Sequence, residues 1–374
     1  MPRHRARDLG IPFDGTPGPL NAITDVPGVE VGMTTLIEGD GPLEVGRGPV
    51  RTGVTAILPR GRGPRPSPIW AGHFSFNGNG EMTGTHWIDD AGWFLGPICL
   101  TNTHSVGMVH HAAVGWMTGT YASHFVEDHG WAMPVVAETY DGFANDIVGR
   151  HVTEAHARAA IDGARGGPVA EGNVGGGTGM MTYEFKGGTG TASRRIALGG
   201  REFTVAALVQ SNFGARRDLT VRGVPVGREW PEDAPLSGAR TRETGSIIVI
   251  LGTDVPLLPG QLRRLARRGA IGIGRTGTPG GNYSGDIFLA FSTANDIGLP
   301  RMTADEHPVF NRMTCLADHY LDAVYGAAVD AVEESVLNAL VAAETMPLAK
   351  FSGGARWMAM DHDRLRRIMA EYGR

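Results

Sequence analysis

The sequence predicts a layered α+β fold, and three observations support this prediction. The 374 residues are 41% hydrophobic and 20% charged, as in an ordinary globular protein, and they allow one large or two ordinary domains. The strand patterns come in runs flanked by runs of helix patterns, without strict alternation. The β-branched run Ser246–Gly252 (SIIVILG) is typical of a strand that is buried on both faces.

The first half of the chain contains two early strand patterns, a Pro/Arg loop, a turn, a helix and a further strand. The repeated Asn-Gly pairs in Phe74–Gly84 predict a tight turn. Asn102 and Thr103 precede the helix pattern and are suited to cap it. The other elements are the strands Val29–Leu36, Val50–Leu58 and 135–137, the loop 61–69 and the helix Ser105–Phe125.

The rest of the chain begins with an amphipathic helix pattern that stops at a glycine, and it continues mainly as strands. Residues 228–245 are polar, aperiodic and proline-containing, and they predict an exposed linker that ends where the buried strand at Ser246 begins. Two helices are expected across most of 311–345, meeting near Gly326. The remaining elements are the helices His151–Ala164 and Leu262–Arg268 and the strands Met181–Phe185, Arg194–Leu198, Phe203–Gln210 and Asp286–Thr293.

Charge and cysteine usage exclude several classes of protein. The net charge of −5 (34 basic minus 39 acidic residues) gives no support for a nucleic-acid partner. No apolar run approaches ~18 residues, so we expect no membrane partner and a cytoplasmic protein. Cys99 and Cys315 lie in apolar surroundings and are expected to be two buried structural thiols.

Common metal and cofactor motifs are missing from the sequence, and we predict no metal and no cofactor. Adjacent residues on a helix point about 100° apart, so His110 and His111 are poorly placed to hold one ion. Glycine is abundant, with 56 residues, and is densest in Glu171–Met181. The loop Gly175–Gly179 is interpreted either as a packing or substrate-pocket loop or, alternatively, as a phosphate cradle without the Rossmann spacing.

The junction Gly245-Ser246 joins the exposed linker to the buried strand. One interpretation is self-cleavage: the Ser246 hydroxyl attacks the Gly245 carbonyl, and water hydrolyses the resulting ester. The α-amine that this frees on Ser246 has a reference pKa of about 7.7–8.0, so it can accept the proton of the hydroxyl near neutral pH. Gly-Ser before a strand is also common without any such function.

A second candidate lies in Gly280–Asp286 (GGNYSGD), at the start of another buried strand. Residues i and i+2 of an extended segment point to the same face, so Ser284 and Asp286 can form a hydroxyl–carboxylate relay. The alternative is a turn with an aspartate cap.

Eight recognisable segments occur in order along nearly the whole chain: Asn21–Gly32, Asn77–Gly84, Thr101–Gly107, Val135–Gly142, Glu171–Met180, Phe185–Arg194, Gly245-Ser246 and Ser284–Asn295. Together they resemble the L-aminopeptidase D-amidase/D-esterase family, which includes the β-peptidyl aminopeptidases. The resemblance implies a self-processing serine aminopeptidase or amidase acting on short peptides, amides or esters through an acyl-enzyme. It also implies a four-layer α/β/β/α sandwich that resembles N-terminal nucleophile hydrolases but differs in strand connectivity.

The resemblance further assigns roles to individual residues. It implies one catalytic domain, 1–374, cut between Gly245 and Ser246 into fragments 1–245 and 246–374 that stay associated and form larger oligomers. Ser246 would be the nucleophile, with Ser284 and Asp286 as its partners. Asn212 and Tyr140 would stabilise the oxyanion, and Glu138 would bind the free amine of the substrate.

Two other functions stay open at this point. An acyltransferase with the same architecture is one, although such enzymes typically carry threonine at the new N-terminus. A non-catalytic small-molecule binder that uses the Gly175–Gly179 loop is the other.

Overall fold

The computed structural model describes residues 4–235, 245–296, 298, 310–350 and 354–374. Residues 236–244 of the predicted linker lie outside the described residues. The strands are β1 Glu30–Glu38, β2 Val50–Leu58, β3 Ile69–Gly78, β4 Trp93–Phe94, β5 Ile98–Asn102, β6 Val135–Thr139, β7 Met181–Thr182, β8 Phe185–Lys186, β9 Gly188–Leu198, β10 Arg201–Asn212, β11 Ser246–Thr253, β12 Gly285–Ser292, β13 Met346–Pro347 and β14 Arg356–Trp357. The α-helices are α1 Thr85–Ala91, α2 Val106–Thr120, α3 Ala122–Val126, α4 Glu154–Asp162, α5 Val226–Glu229, α6 Pro259–Ala266, α7 Arg268–Gly274, α8 Leu321–Val341 and α9 His362–Glu371.

Two sheets form the centre of the molecule. One has the strand order β1-β2-β5-β6, and the other has the order β4-β3-β12-β11-β10-β9. The apolar residues between them include Ile57, Leu100, Leu208, Ile250 and Leu289, all of which are fully buried. Helices α2 and α4 cover the outer face of the first sheet, and α6 and α8 cover that of the second. The predicted α/β/β/α sandwich is therefore confirmed.

The sequence patterns shortened or missed several strands of the two sheets. Strand β9 begins at Gly188, six positions before the predicted Arg194. A Cβ on Gly190 would lie 1.9 Å from the Ser335 carbonyl oxygen, so glycine is what allows α8 to pack on this strand. Strand β3 occupies the first half of the predicted turn Phe74–Gly84, and β5 was not predicted.

Two predictions in the last third of the chain are wrong. A single helix, α8, replaces the two helices expected in 311–345 and continues through Gly326. Burial of nearly every side chain from Ala327 to Val341 outweighs the ~1 kcal/mol that one glycine costs a helix. Cys99 is buried as predicted, but Cys315 is exposed, because the segment before α8 is not packed into the core. In the described ranges, no helix combines the length and apolarity that a membrane span needs.

Candidate active site

Four neighbouring inner strands of the six-stranded sheet begin or end at the same end of the sheet. The antiparallel pair β10–β11 places Asn212 opposite Ser246, and the parallel pair β11–β12 places Ser246 opposite Gly285. Strand β3 ends beside them, with Gly78 opposite Gly285. Asn212, Ser246, Gly285 and Gly78 are far apart in the sequence, but they therefore lie side by side in the sheet.

Ser246 begins β11 and is only 5% exposed. The preceding Gly245 packs against the end of β10, where a Cβ would lie 2.4 Å from the Asn212 carbonyl oxygen and 2.5 Å from the Phe213 Cα. The Gly285 N–H donates to the Gly245 carbonyl oxygen at 3.0 Å. The backbone at this junction therefore requires glycine, and the carbonyl before Ser246 is already polarised by a hydrogen bond.

Ser284 and Asp286 are brought together beside Ser246. The Ser284 hydroxyl donates to the Asp286 Oδ1 at 2.6 Å, and both side chains are almost completely buried. Asn77 supports the carboxylate, since its Nδ2 lies 3.1 Å from the Asp286 Oδ2 and 3.1 Å from the Gly281 carbonyl oxygen. The sequence predicted a turn at Asn77, which also begins the family segment Asn77–Gly84, but neither signal assigned it a role beside Asp286.

Asn212 lies between the nucleophile candidate and the other sheet. Its Nδ2 donates to the Tyr140 carbonyl oxygen at 3.1 Å and approaches the Ser246 Oγ at 3.5 Å. Its Oδ1 accepts the Met181 N–H at 3.0 Å. Because the Oδ1 is occupied, the amide is held with its donor side toward Ser246.

Tyr140 follows β6 and is half-buried. Its hydroxyl accepts a hydrogen bond from the Lys350 Nζ at 2.5 Å. A Cβ on Gly142 would lie 2.5 Å from that hydroxyl, so glycine leaves room for the tyrosine ring. No motif or periodicity in the sequence indicated this contact of Lys350 with Tyr140.

Glu138, on β6, is 4% exposed and holds hydrogen bonds on both carboxylate oxygens. The Glu81 N–H donates to its Oε1 at 3.0 Å, and the Thr103 hydroxyl donates to its Oε2. Burial raises the pKa of Glu138 above its usual value, against the lowering effect of these two hydrogen bonds. Thr103, predicted as a helix cap, instead supports this carboxylate.

The glycine-rich loop packs inside the protein. The N–H of Gly175 donates to the Thr35 hydroxyl, and that of Gly176 donates to the Thr55 hydroxyl. A Cβ on Gly176 would lie 2.0 Å from the Gln210 Oε1. The phosphate-cradle interpretation is wrong, because these amides already have protein partners and the loop is buried between the sheets. Over the described ranges, no three His, Cys, Asp or Glu side chains are grouped as metal ligands.

Comparison with known proteins decides the family. The family model described as "Peptidase family S58" matches residues 21–352 of the chain. The chain belongs to peptidase family S58. It is a hydrolase, a serine aminopeptidase or amidase, as the sequence predicts.

Relatives of the S58 chain match it over nearly its full length. It is 50% identical to a β-peptidyl aminopeptidase BapA of Sphingosinicella microcystinivorans, over 99% of this chain and 93% of that one. The solved L-aminopeptidase D-Ala-esterase/amidase of Ochrobactrum anthropi, described as a variant of the Ntn hydrolase fold, shares 56% identity with a TM-score of 0.92 and 99% coverage of both chains. A β-aminopeptidase of a Burkholderia species shares 45% identity, with a TM-score of 0.88 and the same coverage.

Proposed function

We propose that this S58 enzyme removes N-terminal residues from short peptides, amides or esters through an acyl-enzyme on Ser246. The observation that carries the proposal is the register of β10, β11 and β12. It brings Ser246, Asn212 and the Ser284–Asp286 pair to the same end of the sheet. Glu138 supports an aminopeptidase in particular, since a buried carboxylate can hold the protonated amine of a substrate.

In the proposed reaction, the Ser246 Oγ attacks the substrate carbonyl carbon, and its proton passes to the free α-amine of the same residue. The negative oxygen that forms is stabilised by the Asn212 amide and the Tyr140 hydroxyl. The C–N bond then breaks, and the leaving amine takes the proton. Water next attacks the ester on Ser246 and regenerates the hydroxyl. Ser284, fixed by Asp286, positions the nucleophile, and no cofactor takes part.

We also propose that the chain generates its own nucleophile by cleavage between Gly245 and Ser246. The hydrogen bond from the Gly285 N–H to the Gly245 carbonyl oxygen supports this step, because it polarises the bond that would break. Fragments 1–245 and 246–374 would remain associated, and the resulting heterodimers would form larger oligomers. We further propose that the enzyme is located in the cytoplasm.

Replacing Gly245 with Ala should slow self-cleavage by at least about tenfold. The new Cβ would lie 2.4 Å from the Asn212 carbonyl oxygen, so the junction and the end of β10 must separate. The uncut fraction, followed over time on a denaturing gel, measures the effect. Gly274→Ala is a matched control because a Cβ there has no neighbour within 4 Å. Equal cleavage rates in the two variants would contradict the argument.

Replacing Glu138 with Gln should raise KM for substrates with a free amine by about 10–100-fold. This is the loss of affinity expected when one charge-assisted hydrogen bond to the substrate amine is removed. A substrate whose amine is acetylated should be affected much less. Steady-state kinetics with both substrates test this. Glu81→Gln is the control, since it makes the same chemical change in a neighbouring exposed side chain and keeps the backbone N–H that donates to Glu138. A similar change for both substrates would argue against amine binding by Glu138.

The same carboxylate predicts how activity depends on pH. Burial raises the pKa of Glu138, so its negative charge is present above that pKa and is lost as the pH falls through it. The Ser246 α-amine must be unprotonated to accept the proton, so it sets one acidic fall of kcat/KM in wild type and variant alike. Glu138 should add a second acidic fall in the wild-type enzyme, and this second fall should be absent in Glu138→Gln. An unchanged acidic limb in the variant would assign that limb to another group.

A further inference from the structure

Lys186 is one of two lysines in the chain and is completely buried behind the candidate active site. Its ammonium donates to three backbone carbonyl oxygens: Met180 at 2.6 Å, Gly187 at 2.7 Å and Gly177 at 3.4 Å. Burying an ammonium group is costly unless its donors are satisfied, so these carbonyls fix it in one place.

A short chain of hydrogen bonds connects this ammonium with the nucleophile candidate. The Met180 carbonyl accepts the Lys186 ammonium, and the N–H of the same peptide group, on Met181, donates to the Asn212 Oδ1 at 3.0 Å. The Nδ2 of Asn212 then approaches the Ser246 Oγ at 3.5 Å. One peptide group and one side-chain amide therefore separate Lys186 from Ser246.

Hydrogen bonds in such a chain polarise one another. A cation at the Met180 carbonyl makes the Met181 N–H a stronger donor, and this bond in turn makes the Asn212 Nδ2–H groups stronger donors. The effect is greatest when negative charge develops beside Asn212, because a fixed cation in a low-dielectric interior needs no reorganisation at that moment.

The hairpin that carries Lys186 is held in an unusual conformation. Between β7 and β8, Tyr183 and Glu184 have φ values of 52° and 60°, in the left-handed region that favours glycine. Arg216 fixes both residues, donating to the Tyr183 carbonyl oxygen at 2.9 Å and the Glu184 carbonyl oxygen at 2.8 Å. A two-residue hairpin of this type requires positive φ at both central residues, and the contacts of Arg216 hold the turn, and with it Lys186, in place.

We infer that Lys186 is a positioning residue for catalysis, which strengthens and orients the Asn212 amide through the Met180–Met181 peptide group. This inference rests on the proposed roles of Asn212 and Ser246. It adds a buried cation, with no access to the substrate, to the groups that stabilise the oxyanion.

Lys186→Met removes the charge and keeps much of the side-chain volume. Removing one oxyanion donor costs about 10²–10³ in kcat, so weakening it should lower kcat by about 10–100-fold. KM should stay within about threefold, since the substrate amine binds elsewhere. Rates are expressed per cleaved molecule, with the cleaved fraction taken from a denaturing gel. An unchanged kcat would overturn the inference.

A double-mutant cycle with Asn212→Ala separates this role from a structural one. If Lys186 acts through Asn212, adding Lys186→Met to Asn212→Ala should change kcat by less than about twofold. Losses that multiply would overturn the inference while leaving the proposed function intact. Full activity in Asn212→Ala alone would overturn the oxyanion role of Asn212 and with it the inference, whereas the proposed function is tested separately by the loss of activity in Ser246→Ala.

Thr189→Val is the matched control. The Thr189 hydroxyl also donates to a backbone carbonyl oxygen, that of Val174, but it does not contact Asn212. It should lower the melting temperature but keep kcat within about threefold. A loss of kcat equal to that of Lys186→Met would indicate a structural effect and overturn the inference.

The wild-type protein offers a test if Lys186→Met does not fold. With methionine-selective ¹⁵N labelling and Met181→Leu to assign the signal, the Met181 amide proton should resonate well downfield of unstructured amides. A value in the unstructured range would overturn the inference.

Lys186→Gln, which keeps a neutral donor, should give a kcat between those of wild type and Lys186→Met.

Discussion

Ser246→Ala is expected to yield one uncut chain of 374 residues with no measurable aminopeptidase activity, a loss of about 10⁴-fold or more. The proposed mechanism uses the same oxygen twice, first on the Gly245 carbonyl and then on the substrate. A methyl group can do neither, and the alanine variant also keeps the α-amine blocked in a peptide bond. Denaturing gels and intact mass measure cleavage, and release of amine from a peptide amide measures activity.

Ser292→Ala is the matched control for this experiment. It makes the same chemical change in a buried serine at the far end of the neighbouring strand β12, where the hydroxyl donates to the Val255 carbonyl oxygen. This variant should be cut at the normal rate. Ser246→Cys, which restores a nucleophile, should recover cleavage at least in part. Fragments ending at Gly245 in the alanine variant would exclude Ser246 as the cleaving group.

The parts of the site that the sequence predicts are those that depend on local geometry. Ser284 and Asp286 are two positions apart at the start of a strand, so period-two alternation was sufficient to place them together. Ser246 was conspicuous because a polar linker changes there to a buried strand. Asn212, Tyr140 and Glu138 have no such local signal, and only the family resemblance indicated them.

What the sequence could not predict depends on contacts between distant segments. Asn77 and Thr103 each support a site residue, 209 and 35 positions away, through hydrogen bonds that no sequence periodicity predicts. Lys186 lies one peptide group away from Asn212, which is also not predictable from the sequence. The start of β9 was predicted too late because of its glycines. In β9 glycine allows close packing with α8, whereas a glycine in a sequence most often indicates a turn. The fold class could be predicted because buried runs and amphipathic helices define layers, but the strand order could not.

Glu334→Ala is expected to be the most destabilising of the variants considered, by about 3–5 kcal/mol, the usual effect of removing one partner from a buried ion pair. Glu334 lies on α8, in what would be fragment 246–374 after the proposed cleavage, and its carboxylate is fully buried. It contacts the Arg194 guanidinium at 2.7 Å, the Arg7 Nε at 2.7 Å and the Asn21 Nδ2 at 2.6 Å. All three partners would belong to the proposed fragment 1–245.

The network also predicts how stability depends on pH. Burial alone would raise the pKa of Glu334, but the hydrogen bond from Arg7 and the charge of Arg194 lower it overall. A folded-state pKa below the unfolded value of about 4.3 means that the carboxylate stabilises the fold above that pH. This contribution is lost as the pH falls through the lowered pKa. The stability difference between wild type and Glu334→Ala should therefore be constant near neutral pH and shrink in acid.

The measurement is best made in the Ser246→Ala background, where the chain is expected to remain uncut, so that separation of the two fragments does not contribute to unfolding. Urea midpoints and slopes give the change in unfolding free energy. Asp363→Ala is the matched control, since its ion pair with Arg366 lies on the surface, with side-chain exposures of 80% and 44%, and should contribute about 1 kcal/mol or less. In the cleaved enzyme, where no peptide bond would join the fragments, Glu334→Ala should also let them separate at lower urea. If Glu334→Ala costs no more than Asp363→Ala, the buried network does not hold the two fragments together, and their apolar interface alone must do so.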